Sequence, residues 1–363
     1  MAKVQVNVRP AKRIRQDGCS QRGGQSGEFY TDLKRQSFTD PRVINTNGSS
    51  EITHSQNSEP HIQTENLPVW QEYVWKLVPG TPIGRAVVSA TQRLSDIGSL
   101  TANLDAQLIL AHVLGVERSW LFAHYDHELS ILQANTFTEH IARRSAGEPI
   151  AYLVGRKEFY GIELQVDRRV LIPRPETELL VDAVLTHLEM MPTAHSRIAD
   201  VGTGSGAIAT ALAYSWPTAR IYAIDVSRDA LDVAKANFEQ FDQRQQISPL
   251  HGDLLEPLPE PVDVIVANLP YINSKEYPLL MADVRDYEPE LALHGGDDGL
   301  DVIRRLLQQA PSNLRPDGRI MLEIGCDQGE EMLGLVNTIL PNARNVSVRS
   351  DYNGHDRIVI IQL

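Results

Sequence analysis

Cysteine is almost missing from this sequence: two among 363 residues, Cys19 and Cys326, far apart and in no paired motif. That excludes a disulfide framework and suits a reducing compartment. Metal-ligand spacings are missing too. There is no CxxC and no HExxH, so no metal is expected, and His112, His124, His127 and His140 read as helix-surface or satisfied core residues. No run approaches the ~18 apolar residues that a membrane span needs, and no membrane partner is expected. The first thirty residues lack the apolar core of a secretory signal, and their basic character comes without an amphipathic transit pattern, so a cytoplasmic location is expected. Positive charge is scarce: 34 Lys and Arg against 47 Asp and Glu give a net −13. The imbalance is uneven, because residues 1–50 carry nine basic against four acidic groups and so leave −18 on the remainder. Such a body is a poor match to the basic stripe that neutralises duplex phosphates, and no direct nucleic-acid contact is expected.

What is present divides the chain into four parts. Residues 1–67 are rich in Ser, Asn, Gln, Thr and Gly, bury too little to offset ordering entropy, and read as a disordered extension. Within it, Gly23-Gly24-Gln25 is a tripeptide that a chain with 24 glycines can contain by accident. Residues 68–150 show helical periodicity. Ile83, Val87, Val88 and Leu94 fall near one face of a first helix, and Leu104, Leu108, Ala111 and Leu114 near one face of a second, which Asn103 would cap and Gly115 would end. A third helix spans about 129–146. Residues 151–175 hold two β-rich runs about Gly161, a hairpin linker.

From 176 to 363, strands and helices alternate. A helix at about 176–189 precedes strands at 197–201, 220–225, 247–251, 262–267, 318–324, 344–350 and 356–362. Helices at 205–215, 227–240, 298–311 and 328–339 lie between them. This predicts a doubly wound α/β sheet of seven strands, mostly parallel. The turn at Asn353-Gly354 makes the last strand antiparallel, unlike the usual dinucleotide-binding layout.

The stretch DVGTGSGAIA runs from a strand through a glycine loop into a helix. Gly202, Gly204 and Gly206, with Thr203 and Ser205 between them, permit a sharp turn and close approach of a ligand, whose groups would face free loop amides and the helix N-terminus. Asp225 ends the second strand, where a carboxylate can accept from ribose hydroxyls. Asp200, before the first glycine, suits an ammonium better than a pyrophosphate. Asp253, with Leu254 beside it, follows the third strand and is placed for an adenine amino group. Together these favour S-adenosylmethionine over a nicotinamide cofactor.

The fourth strand runs straight into Asn268-Leu269-Pro270-Tyr271. At the carboxyl end of a strand beside the glycine loop, this tetrad makes sense as a clamp for a planar NH2 group. The Asn268 side-chain oxygen and the Leu269 carbonyl each accept one N–H, Pro270 stiffens the turn and Tyr271 packs on the flat face. Positioning and electrostatics then do the catalytic work.

An Asn-x-Pro-Tyr tetrad here resembles that of the class I (Rossmann-like) methyltransferases acting on exocyclic nitrogens of DNA, ribosomal RNA or protein glutamine. The further stretches LDAQLILAHVLG, GEPIAYLVGRKEFYGIELQVDRRVLIPRPETE and DVRDYEPELALHGGDDGLDVIRRL resemble the HemK/PrmC family of peptide-chain release factor glutamine N5-methyltransferases. The likeness covers about residues 80–363. It implies S-adenosylmethionine as donor and, as acceptor and protein partner, the glutamine of a Gly-Gly-Gln loop in a class I release factor. It also implies a helical substrate-recognition domain at 68–150 and a monomer. By motif match, the Gly202 to Gly206 loop, Asp225 and Asn268 contact the cofactor, the tetrad holds the amide, and Phe159 with the PRPETE segment walls the substrate pocket. Two positions depart from the family. Leu254 stands where members carry an aromatic, and Leu269 replaces the commoner proline, as in ribosomal RNA adenine dimethyltransferases. N6-adenine methylation of RNA or DNA is therefore the competing reading.

Overall fold

Helical periodicity at the start of the structured chain gives α1 (Ile83–Asp96), α2 (Ala102–Leu114), α3 (Arg118–Ala123), α4 (Ile131–Ser145) and α5 (Ile150–Val154). The computed structural model describes residues 75–190 and 196–363. The expectations for residues 1–67, including the tripeptide at Gly23 to Gln25, lie outside the described residues. Ser130 caps α4 reciprocally with Gln133, each side chain bonding the other's backbone N–H, which satisfies two of the orphan donors at a helix start.

Three details depart from the periodicity. Val88 is 69% exposed, so the buried face of α1 is Ile83, Ala86, Val87, Ala90 and Leu94. Leu104 is 40% exposed, and of the expected face of α2 Ala111 is buried, alongside Asp105, Ala106, Ile109 and Leu110. That helix is apolar nearly all round, so pattern alone cannot choose its inner face. The Arg144–Asp105 pair at 2.8 Å helps to choose it by bringing a carboxylate inward with a partner. Asn103 does not cap α2, because Thr101 occupies that place and the Asn103 Nδ2 donates to the Thr91 hydroxyl.

Strands β1 (Arg156–Phe159) and β2 (Ile162–Gln165) form an antiparallel hairpin. Its two-residue turn, Tyr160-Gly161, has φ of 54° and 74°, the paired positive angles of a turn that matches strand twist. Beyond it come α6 (Glu178–Met190), β3 (Arg197–Val201), α7 (Ala207–Ser215), β4 (Arg220–Asp225), α8 (Arg228–Gln240), β5 (Ile247–His251) and β6 (Val262–Ala267). The chain ends with α9 (Ala282–Arg285), α10 (Asp301–Asn313), β7 (Leu314–Glu323), α11 (Gly329–Ile339), β8 (Asn345–Ser350) and β9 (Asp356–Gln362). Strand β7 starts earlier than its apolar run suggests because Leu314 already pairs with Val262, ahead of a register shift between Val262 and Val264.

The seven strands lie in the order β5-β4-β3-β6-β7-β9-β8, with β9 antiparallel to both neighbours. Alternate residues along each central strand serve opposite faces. Ile198, Val264 and Val266 pack under α6, α7 and α8, while Ala199, Val201 and Ile265 pack under α10 and α11. Burial on both sides explains why these strands read as nearly continuous apolar runs. The chain winds outward from β3 to β5, then returns to lay β6 beside β3. The carboxyl ends of β3 and β6 are thus where successive connections diverge, the usual place for a ligand crevice.

Candidate active site

Strand register brings the predicted residues into one row. Val201 pairs with Ile224 and with Ala267, so Gly202, Asp225 and Asn268 emerge side by side. Asp225 pairs with His251, which places Gly252 and Asp253 next along the edge. On the other flank Ala267 pairs with Leu322, setting Glu323 beside Asn268.

The glycine loop is braced from within. Gly202 and Thr203 both donate to the Ile224 carbonyl, at 2.8 and 2.9 Å, and Gly206 donates to the Thr203 carbonyl. The Gly204 N–H donates to Asp225 Oδ2 at 2.9 Å, and Ser227 N–H donates to Oδ1 at 2.8 Å. The expectation of free amides facing a ligand therefore fails at Gly202, Thr203, Gly204 and Gly206, whose N–H groups have internal acceptors. A loop so committed cannot offer them to a pyrophosphate. Gly206 is glycine for packing as well as for its φ of 78°: a Cβ there would lie 2.5 Å from the Phe238 ring of α8.

A cavity of about 250 Å³ opens over this row. Of the residues expected to contact a cofactor, Gly202, Gly204, Asp225, Asp253, Leu254 and Asn268 line it, together with Leu269 and Pro270. Asp200, Thr203, Ser205 and Gly206 do not. Thr203 and Ser205 are buried, and Ser205 spends its carbonyl on Asn237. Asp253 is paired with Arg305 of α10, so an adenine amino group would have to share that carboxylate. Leu254 holds a left-handed φ of 52° and is buried. Phe159 corrects a further expectation: it is 1% exposed, packs in the core under α6 and lines none of the cavities described. As the last residue of β1, on the hairpin's inward face, it serves packing.

Asp200 is fully buried, and its Oδ2 accepts from the Thr203 hydroxyl at 2.7 Å and from the Ala209 N–H at 3.1 Å. It ties the loop to the start of α7 rather than facing the cavity. Its Oδ1 has no partner, and burial pushes its pKa up to about 7, against those two donors. The charged form is the disfavoured one in the fold. Its contribution to stability is present in full below the ordinary carboxylate pKa of about 4 and is lost as pH rises through about 7. Asp200→Asn should therefore flatten the fall of stability across this window, by at most about 1.4 kcal/mol per pH unit. Denaturant titrations from acid to mildly basic pH check this, and an unchanged slope would refute it. Asp225 is also raised, chiefly by burial, with the Ser227 and Gly204 amides opposing.

Asn268 stands between two cavities. The second, about 210 Å³, is lined by Arg174, Asn268, Tyr271, Ile272, Val284 and Leu293 among others, and it shares Leu171, Asn268 and Ala292 with the first. The carboxamide is held from behind. Its Nδ2 donates to Thr177 Oγ1 at 3.0 Å, and that hydroxyl donates to Glu323 Oε2 at 2.7 Å. Tyr271 sits at the same carboxylate, its hydroxyl 3.5 Å from Oε1. Arg174 of the PRPETE segment lines this second cavity, its guanidinium fixed by the buried Glu288 at 2.5 Å. Glu288 also accepts the Ile172 N–H, so the EPELAL segment clamps PRPETE in place.

Sequence reasoning did not assign Thr177, Glu288 or Glu323. Glu323 could have been found by asking of the fifth strand of the sheet what was asked of the first four, namely which polar residue ends an apolar run. The glycines of LHGGDDGL were also passed over. A Cβ on Gly295 would meet the Pro270 carbonyl oxygen at 2.6 Å, and one on Gly299 the Tyr271 carbonyl oxygen at 2.3 Å. They let this loop seat directly on the tetrad's backbone, where Gln328 Nε2 also donates to the Tyr271 carbonyl.

The strand order, the glycine loop at the β3–β6 crevice and the Asn-Leu-Pro-Tyr turn define a class I methyltransferase with a helical region before it. Comparison with known families agrees: the PrmC N-terminal domain matches residues 85–155 and the Methyltransferase small domain matches residues 177–283. A release factor glutamine methyltransferase of Moorella thermoacetica is 43% identical over 274 residues, 75% of this chain and 95% of that protein. One from Bacillus anthracis is 38% identical over 261 residues, 71% of this chain and 91% of its own. Among solved structures, a release-factor-specific protein-(glutamine-N5) methyltransferase of Alicyclobacillus acidocaldarius is 29% identical, covering 53% of this chain and 93% of that one with a TM-score of 0.34. The chain belongs to the release factor glutamine methyltransferase family.

Proposed function

We propose that this enzyme transfers a methyl group from S-adenosylmethionine to the side-chain amide nitrogen of the glutamine in the Gly-Gly-Gln loop of a class I release factor. The observation that carries the reading is Asn268, a single carboxamide shared by the two cavities. The donor belongs in the first. Its lining of glycine backbone, apolar side chains and the Asp225 and Asp253 carboxylates suits a ligand with ribose hydroxyls and net positive charge, and the loop has few amides left for phosphates. When bound, the donor supplies a methyl group on a positively charged sulfur. The acceptor amide enters the second cavity, where the chain's own groups orient it.

An amide nitrogen is a weak nucleophile because its lone pair is delocalised. Asn268 Oδ1 and the Leu269 carbonyl each accept one of its N–H bonds, aim the nitrogen towards the first cavity and favour the positive charge that grows on it. The N–CH3 bond forms as the S–CH3 bond breaks, and the surplus proton leaves the nitrogen afterwards. Tyr271 and Pro270 hold the flat group in place. Leu269 keeps this arrangement despite departing from the family pattern, since position 269 contributes a main-chain carbonyl.

We assign residues 68–150 to recognition of the release factor, 151–175 to the linking hairpin and 176–363 to transfer. The helical part is tied to the loop beside the site through Tyr287, whose hydroxyl donates to the Ala146 carbonyl at 2.8 Å, and to the hairpin linker through Glu148, which pairs with Arg168. We take the working unit to be a monomer. Among the described residues no helix is long and apolar enough to cross a membrane, and a release-factor substrate supports action in the cytoplasm.

Labelled donor offered separately with release factor, ribosomal RNA and DNA tests the proposal. Label should appear on the release-factor glutamine, and label on either nucleic acid alone would overturn it. Asp225→Ala should weaken donor binding by about 1.5–3 kcal/mol, the range for hydrogen bonds to a charged group. Calorimetric titration with unchanged affinity would remove Asp225 from the donor site.

A further inference from the structure

We infer that Thr177 and Glu323 are positioning residues that decide which way round the Asn268 carboxamide sits, and so whether its oxygen or its NH2 faces the acceptor. The inference rests on the proposed role of Asn268 as an acceptor of hydrogen bonds. A carboxamide is nearly symmetric in shape, and in a site that must accept two N–H bonds the reversed orientation would set donor against donor. Something has to break the symmetry.

The chain of contacts does so by elimination. The Thr177 hydroxyl has one proton, and it lies 2.7 Å from Glu323 Oε2. With the carboxylate as acceptor, that proton is committed, and Thr177 Oγ1 can only accept from Asn268, at 3.0 Å. Only the Nδ2 end of the amide can satisfy it. Oδ1 is then turned the other way, and among the described residues it has no hydrogen-bond donor of its own.

The logic reverses if Glu323 gains a proton. A carboxylic acid can donate to Thr177, whose hydroxyl is then free to donate to the Oδ1 end of Asn268. The NH2 group would turn towards the acceptor and the clamp would be lost. The surroundings of Glu323 are finely matched for such a change. It is 1% exposed at the end of β7. Burial, the largest influence, disfavours its charge, and so does Glu176 from the PRPETE turn. Thr177, Arg357 of β9 and the Tyr271 hydroxyl favour the charge, and the outcome is a carboxyl pushed up to about 7. As a folded-state pKa above the ordinary value, it predicts that the working orientation is complete only above neutral pH and is lost as pH falls through that region.

The experiment compares full-length wild type with Thr177→Val, Thr177→Ser and Glu323→Gln, using intact release factor, saturating donor and a range of pH. Melting temperature and donor affinity are followed in parallel. Thr177→Val should lower kcat by about ten- to a hundredfold, with donor affinity within about twofold of wild type. Glu323→Gln, whose amide oxygen can still accept from Thr177, should keep most of its turnover. Thr177→Ser, which keeps the hydroxyl, should restore turnover. Wild-type kcat should show an acid limb near neutrality that Glu323→Gln lacks. Wild-type kcat in Thr177→Val, or an acid limb that survives in Glu323→Gln, would overturn the inference. Should Glu323→Gln fail to fold, the Val and Ser variants at position 177 decide the matter alone. A wild type that leaves the release-factor glutamine unmodified would overturn the proposed function itself, and this inference with it.

Discussion

Replacing Asn268 with alanine should lower kcat for glutamine methylation by about two to three orders of magnitude, while the protein keeps its fold. The side chain sits at the wall common to both cavities and is lodged on one hydrogen bond to Thr177. Removing it takes little from the core, because neither Thr177 nor Glu323 is left without a partner: the two still bond one another. What disappears is an acceptor aimed at the nitrogen that becomes positive during transfer. A group whose contact strengthens only as charge develops lowers kcat when lost, with less effect on substrate affinity. Leu269→Pro is the companion measurement. Its carbonyl persists, and no backbone hydrogen bond from the Leu269 N–H occurs among the described residues. Single-turnover rates at saturating release factor should therefore be nearly wild type for Leu269→Pro and close to background for Asn268→Ala. The opposite ranking would show that the tetrad does not work as a pair of acceptors.

Gly299→Ala should destabilise the protein by about 3 kcal/mol or more and reduce turnover sharply, although residue 299 lines neither cavity described at the tetrad. Two costs coincide there. A φ of +77° is strained for any residue with a side chain, worth about 1–2 kcal/mol. The added Cβ would also fall 2.3 Å from the Tyr271 carbonyl oxygen and 2.8 Å from Gln328 Nε2, so backbone must move against backbone. Gly98→Ala separates the two effects. Its φ of +87° is comparable, yet nothing lies within 4 Å of a Cβ there, and it should show only the smaller cost. Equal melting temperatures for the two variants would mean that the close seating of the loop on Tyr271 is not what makes Gly299 a glycine. Retained turnover in a folded Gly299→Ala would mean that the tetrad tolerates displacement.

The sheet and the tetrad were legible because their signals are local. Apolar runs ending in Asp200, Asp225, Asp253 and Asn268 identify strands and their carboxyl ends together, and the strand limits at 197–201, 220–225, 247–251 and 262–267 match the structure. What was hidden depends on partners far along the chain. Asp200 and Asp225 look alike in sequence, as one acid at the end of one strand. Yet Asp200 turns inward to Thr203 and Ala209, whereas Asp225 also reaches the cavity. The difference lies in where α7 starts, which the glycine loop alone does not reveal. Phe159 misled for a related reason: an aromatic beside a turn can face a pocket or a core with the same spelling. Thr177 and Glu323 are 146 positions apart; the pairing of β6 with β7 brings Glu323 beside Asn268, and the turn before α6 brings Thr177 to both. The α2 stripe held at Ala111 but not at Leu104, because a helix with apolar residues on every side carries little directional signal.

Because one side chain forms part of the wall of both chambers, neither ligand can finish the site by itself. Among the described residues the wall shared by the two cavities, Leu171, Asn268 and Ala292, holds no nucleophile to carry the methyl group, so donor and acceptor must be present together, and initial-rate plots should intersect rather than run parallel. The two linings overlap at Leu171, Asn268 and Ala292, with Asp253 and Arg305 belonging to the first alone and Arg174 and Leu280 to the second alone. Inhibition by the demethylated donor should therefore be competitive with the donor and not with the release factor.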